Sequence, residues 1–288
     1  MKNLKNKVFV VTGAGSGIGR ALALRLAGTG AHLALNDWNT ETLHETMNLL
    51  QEQGHYAISQ SFDVSDRIAW ERFSTYVQKH YGRVDGLFNN AGITAFPETL
   101  PETDPVDFAR VLEVNLWGTI HGSQVFLPQL MEQSESLLVN VSSVLGLLGY
   151  AGQGPYVTAK FAVRGFTETL RQELAGTGVQ VVAAHPGPVR TNLSRNIRHD
   201  DQELVDRLSE MFDKAVKTTS EEAADAIIAG VRKGRHRILL GDKARFLDWL
   251  SRLLPNSYHK YMPRNFRPGH LIRKALAKRS GKKELPVE

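Results

Sequence analysis

The sequence predicts an α/β protein: one doubly wound parallel sheet of the Rossmann type, about seven strands, with helices on both faces. Three observations carry this. Short β-like runs alternate with amphipathic helical stretches along most of the 288 residues, the rhythm of parallel strands joined by crossover helices. A glycine-rich run lies directly between the first strand and the first helix. The composition, 42% hydrophobic and 23% charged, is that of a folded globular chain, and the length suits one large domain.

In chain order, Lys7–Thr12 reads as the first strand and Ser16–Gly28 as the first helix. His32–Asn36 and Thr40–Gln53 repeat the pair, as do His55–Phe62 and Ser65–Tyr81. Val84–Asn89 is the fourth strand, followed by a long helix over roughly Pro105–Gln133. Ser136–Val141 is the fifth strand, Gly154–Leu174 the next helix and Val179–His185 the sixth strand. Ser220–Arg232 reads as a helix and Arg237–Leu240 as a short last strand. Residues 1–241 are therefore expected to form one domain. Two segments break the rhythm. Residues 191–219 are polar, then amphipathic around Leu204, Leu208, Met211 and Phe212, and long insertions of this kind are often lids. Residues 242–288 form a basic amphipathic extension: Phe246, Trp249, Leu250, Leu253 and Leu254 recur at helical spacing, ahead of a basic, proline-interrupted tail.

The absence of cysteine excludes disulfides, thiolate chemistry and cysteine-ligated zinc. No His/Asp/Glu cluster has metal-ligand spacing, so no metal is expected. No run resembles a secretory signal or a spanning helix, and the expectation is a cytoplasmic protein. The net charge of +5 is uneven: from Val231 onward sixteen Lys/Arg face four Asp/Glu. A solvated tail is one reading and attachment to an acidic membrane surface the other. Nucleic acid is not expected, because no reading motif accompanies the charge.

The glycine run is Thr12-Gly13-Ala14-Gly15-Ser16-Gly17-Ile18-Gly19. Glycines permit positive φ and close approach of backbone to a ligand, and the helix behind them offers free N–H groups and a positive dipole end to a pyrophosphate. Asp37, at the end of the second strand, can accept the adenosine ribose hydroxyls and repel a 2′-phosphate. Arg20, one turn into the helix, is the basic residue nearest by. NAD is therefore expected over NADP.

Further motifs follow in order: Asn89-Asn90-Ala91-Gly92 after the fourth strand, Asn115 in Val114-Asn115-Leu116, Ser142-Ser143 after the fifth strand, Tyr156-Val157-Thr158-Ala159-Lys160 at the start of a helix, and Pro186-Gly187-Pro188-Val189-Arg190-Thr191 after the sixth strand. Together with Thr-Gly-x-x-x-Gly-x-Gly they resemble the short-chain dehydrogenase/reductase family, classical type, over about residues 5–240. The resemblance implies that Gly13, Ser16, Gly17, Ile18 and Gly19 cradle the cofactor. It implies that Asp63 and Val64 flank the adenine and that Asn90, Ala91 and Gly92 line the adenosine side. Pro186, Gly187, Val189 and Thr191 are implied to hold the nicotinamide.

Tyr156 and Lys160 are four apart and share a helix face. Tyrosine has a pKa of about 10, and a neighbouring ammonium is expected to lower it, fitting Tyr156 for general acid–base work. By the resemblance, Ser143 binds the substrate oxygen, Lys160 also bonds the nicotinamide ribose, and Asn115 holds a water linking Lys160 to solvent. The expected activity is hydride transfer between the cofactor and an apolar secondary alcohol or ketone. Pocket candidates are Ile93, Thr94, Phe96, Leu145, Leu147, Leu148, Tyr150, Gln153 and Pro188, with Arg195 and Arg198 in the lid. His185 reads as a buried, hydrogen-bonded histidine. A non-enzymatic dinucleotide sensor or scaffold is the alternative, although such proteins often lose Tyr, Lys or Ser. Apolar residues on several sides of the helices near 105–133 and 154–174, and the resemblance, imply a homodimer or homotetramer.

Overall fold

The computed structural model describes residues 1–195, 197 and 199–262. The expectations for Arg198 and for the basic run from Arg264 to Lys283 lie outside the described residues.

Seven parallel strands form one sheet: β1 (Val8–Thr12), β2 (His32–Asp37), β3 (Ala57–Ser61), β4 (Gly86–Asn89), β5 (Ser136–Val141), β6 (Val179–Pro186) and β7 (Arg237–Leu240). Their order is β3-β2-β1-β4-β5-β6-β7. The chain winds outward one way from β1 and then the other way from β4. The crevice beyond the carboxyl ends of β1 and β4 is therefore the switch point at which open α/β sheets bind ligands.

Alternation along each strand builds two apolar layers. Phe9, Val11, Leu33, Leu35, Phe88, Val139 and Val182 point to the face covered by α1 (Gly17–Ala27) and α8 (Ser220–Arg232). Val8, Val10, Leu87, Leu138 and Val181 point to the other face. There they meet Trp70, Phe73 and Val77 of α3 (Arg67–Tyr81) and Phe126 and Leu130 of α5 (Gly118–Met131). Both faces are buried, which is why these strands read as continuous apolar runs rather than alternating ones. The remaining α2 is Thr40–Glu52.

The long helix expected over 105–133 is interrupted. α4 (Pro105–Leu112) passes through a π turn, Glu113–Trp117, before α5 begins. Asn115 sits inside the π turn, fully buried. Such insertions often mark functional sites. α6 (Gly154–Glu173) carries Pro155 in its first turn, where the missing N–H is harmless.

The two irregular segments are partly helical. α7 (Gln202–Ala215) buries Val205 and Ser209 and leaves Met211 and Phe212 outside. α9 (Ala244–Leu253) and the single turn α10 (Tyr258–Tyr261) follow β7. The apolar stripe expected on the extension is split. Ala244, Leu247 and Leu250 are buried, but Phe246, Trp249, Leu253 and Leu254 face outward. The inward face joins Leu148 and Met262 in a third apolar cluster, with Leu145, Tyr150 and Tyr258 against it. The residues expected at a subunit contact divide in the same way. Val111, Val114, Phe126, Val163 and Leu170 are buried within the chain, whereas Trp117 and Phe161 are exposed. Among the described residues, no helix is long and apolar enough to cross a membrane.

Candidate active site

Strand direction gathers every motif at one edge. The glycine run follows β1, Asp37 ends β2, Asp63 and Val64 follow β3, Asn90–Gly92 follow β4, Ser143 follows β5, and Pro186–Thr191 follow β6.

The β1 and β4 loops are tied main chain to side chain. Thr12 Oγ1 accepts from the backbone N–H groups of Asn90 and Ala91, both at 3.0 Å. Asn90 Nδ2 returns a bond to Thr12 O at 2.9 Å. A β-carbon on Gly19 would lie 2.0 Å from Gly13 O, so that position has room only for hydrogen. Gly13 and Gly17 have φ of 64° and 53°, the left-handed region open to glycine. Ser16 makes no side-chain cap to α1, whose first turn carries no acidic residue. A cleft of roughly 270 Å³ opens beside it, lined by Ser16, Gly17, Arg20, Arg190, Thr191 and Ser220. A helix start without a side-chain cap, facing a groove kept open by glycines, fits a pyrophosphate.

Asp37 is buried. Its Oδ2 accepts from Gly15 N at 2.8 Å and its Oδ1 from Asn39 N at 2.9 Å. Burial raises its carboxyl above the ordinary value, against those backbone bonds and the Arg20 charge. A carboxylate offers about four lone-pair sites, so two backbone bonds leave acceptor capacity to spare. Arg20 bonds Thr46 Oγ1 at 2.9 Å, Thr42 O at 3.1 Å, Glu45 at 2.7 Å and Gly15 O. It is spent on the β1–α1–α2 corner. Asp63 pairs with Arg110 of α4 and accepts from Ser65 N and Oγ at 2.9 and 2.7 Å. Burial alone would raise its carboxyl, but these bonds hold it low. The buried Val64 accepts Trp70 Nε1 at its carbonyl, 2.8 Å. Arg110 had no sequence signal.

At the β5 end, the two serines separate as strand alternation requires. Ser142 Oγ bonds Lys160 O at 2.8 Å, a structural tie. Ser143 lies near enough to Tyr156 to lower its phenol, and its Oγ accepts from Leu145 N at 3.1 Å. Lys160 Nζ bonds Val141 O at 3.0 Å and lies 5.6 Å from the Tyr156 ring centre. Asn115 donates to Ile93 O and accepts from Ile93 N, both at 2.8 Å. A β-carbon on Gly92 would lie 2.9 Å from Asn115 Oδ1 and 3.4 Å from Lys160 Nζ, which puts the three side by side.

The electrostatics depart from the sequence expectation. Loss of water pushes the Tyr156 phenol up to about 12, against the lowering effect of Ser143. The same cause brings Lys160 down to about 8. The ammonium spends a bond on Val141 O rather than on the phenol, so the predicted lowering of Tyr156 is not a property of this arrangement by itself. His185 is fully buried, with Nδ1 3.1 Å from Ser143 O. Burial takes it down to about 4 despite that bond, so it is neutral, and it fixes the Ser143 backbone.

Gly187 N bonds Leu240 O at 2.8 Å, holding the turn after β6, and Val189 is buried. Thr191 stands over Gly17, whose β-carbon would meet it at 3.1 Å. Of the pocket candidates, Thr94 Oγ1 bonds Gln153 Oε1 at 2.8 Å, and Phe96 stacks on His199 with centroids 3.9 Å apart. Arg195 is paired with Asp213 of α7 at 2.8 Å.

Known proteins share this fold and much of this sequence. Residues 7–202 match the sequence profile of the family described as short chain dehydrogenase. A Mycobacterium tuberculosis protein named only as an oxidoreductase, SadH, is 41% identical over 263 residues, 90% of this chain and 95% of that one. Levodione reductase of Leifsonia aquatica is 32% identical over 246 residues, 84% of this chain and 90% of the relative. The crystal structure of a short chain dehydrogenase/reductase from Burkholderia phymatum, in complex with NAD, superposes with a TM-score of 0.79 at 27% identity, covering all of both chains.

Proposed function

The chain belongs to the short chain dehydrogenase family, and on that premise we propose that it moves hydride between a nicotinamide cofactor and an apolar secondary alcohol or its ketone. The observation that carries this reading is the convergence of Asn115, Ser143, Tyr156 and Lys160 beside the β1–β4 crevice.

When bound, the nicotinamide supplies the hydride for reduction or takes it in oxidation. Tyr156 gives a proton to the carbonyl oxygen in one direction and removes it from the hydroxyl in the other. With its phenol near 12, it is protonated at neutral pH and holds the proton that reduction requires. Ser143 donates to the same substrate oxygen. Below about 8 Lys160 is cationic, and its charge favours the phenolate left after proton donation. Gly13, Ser16, Gly17, Ile18 and Gly19 would hold the pyrophosphate, with Asp37 on the adenosine ribose and Asp63, Val64, Asn90, Ala91 and Gly92 around the adenosine. Pro186, Gly187, Val189 and Thr191 would hold the nicotinamide, and Tyr156 and Lys160 its ribose.

NAD is the preferred cofactor in this reading, because Asp37 ends β2 with acceptor capacity to spare and Arg20 is paired with Glu45 and bonded to Thr46. The apolar pocket candidates Ile93, Leu145 and Tyr150 support a cyclic or aromatic ketone, and the named substrate of levodione reductase is in line with that. Residues 191–219 act as the lid. Outward Trp117 and Phe161 support a homodimer, which light scattering tests. Outward Phe246, Trp249 and Leu253, near Arg245 and Arg252, support contact with an anionic membrane surface; flotation with phosphatidylserine vesicles tests it.

The decisive experiment follows NADH absorbance during reduction of a panel of cyclic and aromatic ketones. Turnover of at least one, faster with NADH than NADPH, is expected. NADH binding without turnover of any carbonyl would favour the sensor reading.

A further inference from the structure

The segment running from β7 to Met262 touches the site from two directions. The first contact is with the loop that links Ser143 to α6. Val144–Gly146 forms a short 3-10 turn there, but Leu147–Gly149 belongs to no helix or strand. Both main-chain groups of Gly149 go to one hydroxyl 109 residues away: Gly149 N donates to Tyr258 Oη at 2.8 Å, and Tyr258 Oη donates to Gly149 O at 3.3 Å. Leu148 is buried against Leu247, Leu250 and Met262. The second contact is with the turn after β6. A β-carbon on Gly187 would lie 3.1 Å from Asp242 O and 3.8 Å from Ala244 Cβ. The start of α9 thus abuts the turn that carries Pro188 and Val189.

The segment is anchored independently of either contact. Arg237 of β7 makes two bonds to Asp248 of α9, at 2.7 and 2.5 Å, and Leu247 and Leu250 are buried beneath it. Docking of α9 therefore does not need Tyr258. What Tyr258 adds is the position of Gly149, in the loop that links Ser143 to Tyr156, with Leu148 turned to the strap and the partly buried Tyr150 next in the chain.

We propose that Ala244–Tyr261 is a strap that sets the width of the substrate pocket, with Tyr258 the positioning residue that fixes the Leu147–Tyr150 loop and so decides how large a carbonyl compound is accepted. This rests on the reductase reading above. The device works by main-chain position: the two Gly149 bonds hold the loop against the strap, and a loop released from them no longer presents one wall to a large ring. A small ketone, which needs less of that wall, depends on it less.

The test has two arms on the full chain. In the first, amide hydrogen exchange is followed in the peptide containing Gly149, without substrate. Tyr258→Phe keeps the apolar contact and loses both bonds, so this peptide should exchange about three- to tenfold faster, while peptides of α9 stay protected. Unaltered exchange at Gly149 would overturn the anchoring. In the second arm, reduction of 2-decalone and cyclohexanone by NADH is compared. In Tyr258→Phe the KM for 2-decalone should rise about three- to tenfold, lowering the decalone-to-cyclohexanone ratio of kcat/KM. Equal losses on both ketones, or a loss in kcat alone, would overturn the specificity role. Gly149→Ala, whose β-carbon would reach 3.1 Å from the hydroxyl, should act in the same direction, and the double variant should add nothing further. If the wild-type chain reduces neither ketone, the specificity role fails with the reductase reading for these substrates, and exchange at Gly149 alone still decides the anchoring.

Discussion

The two ends of the crevice are held by different means. At the cofactor end the contacts are steric as well as polar: Thr12 Oγ1 takes the N–H groups of Asn90 and Ala91, Asp37 takes that of Gly15, and Gly19 packs against Gly13 O with no room for a β-carbon. At the substrate end, Ser143 and its loop are held by side chains from distant segments: His185 under Ser143 O and Tyr258 on Gly149. A turn with no room for a β-carbon accepts few residue types at each position. Side-chain packing has many near-equivalent solutions, so the substrate end can vary while the cofactor end cannot.

The sharpest way to break this comparison is at the residue that both ends serve. Tyr156→Phe should lower turnover by about 10² to 10⁴-fold and leave NADH binding by calorimetry nearly intact. Turnover within a few fold of wild type would remove Tyr156 from proton transfer. The pH dependence sharpens the same point. Lys160 is charged below about 8 and neutral above it, while Tyr156 stays protonated to about 12. Reductase kcat should therefore fall as pH rises through about 8. The stability effect has the opposite sign. The folded Lys160 gives up its proton near 8 and the unfolded one near its ordinary value, about 10.5, so between those values the unfolded chain binds more protons and this residue's contribution to stability rises with pH. A reductase optimum above 9 would contradict the assignment.

Next in size is the cradle. Gly19→Ala places a β-carbon 2.0 Å from Gly13 O and 2.6 Å from Asn90 Nδ2. Overpacking of this kind costs about 1–3 kcal/mol, and urea unfolding should show it together with weakened NADH binding. Gly165, inside α6 with nothing near its missing side chain, gives the contrast: Gly165→Ala should stabilise by about 0.5–1 kcal/mol. Equal behaviour of the two variants would refute the steric argument.

What could be read in the sequence follows the same division. The glycine run, Asn90, Tyr156 and Lys160 were legible because each belongs to a short motif with fixed neighbours, Asp37 because it ends a strand, and the sheet because the apolar runs of its central strands need burial on both faces. The π turn at Asn115 was not, because helical periodicity tolerates one extra residue. The buried part of α9 was not either: Phe246, Leu247, Trp249, Leu250, Leu253 and Leu254 make one broad apolar face, so spacing could not say that Leu247 and Leu250 turn inward while the others stay outside. Tyr258 and Arg110 meet Gly149 and Asp63 only through tertiary packing, and nothing local marks them.

A smaller effect concerns cofactor choice. Asp37→Ala removes the negative neighbour of a 2′-phosphate and also the acceptor of Gly15 N. NADH should bind more weakly and the preference for NADH over NADPH should fall by about tenfold, equivalent to roughly 1.4 kcal/mol. If the wild-type chain already prefers NADPH, Asp37 does not select the cofactor.

The smallest effect is at the strap's anchor. Asp248 takes both Arg237 bonds and one from Arg252 at 3.0 Å, and Arg237, helped by Arg252, brings its carboxyl down to about 2 against the opposing effect of burial. The group is lower in the folded than in the unfolded chain. Its contribution is therefore complete above the ordinary carboxylate value and is lost as pH falls from about 4 through about 2. Asp248→Asn keeps one acceptor and loses the charge, so α9 should open more readily by about 1 kcal/mol. Amide exchange at Leu247 and Leu250 should rise in that variant at pH 7, while the cofactor end, anchored to the main chain around Thr12 and Asn90, keeps its protection. On acidification the exchange rates of wild type and variant in α9 should converge toward pH 2, because protonation removes from the wild type what the substitution removed from the variant. A variant that instead lost protection equally at Thr12 and Leu250 would mean that strap and cradle unfold as one unit, and the contrast between the two ends would not extend to stability.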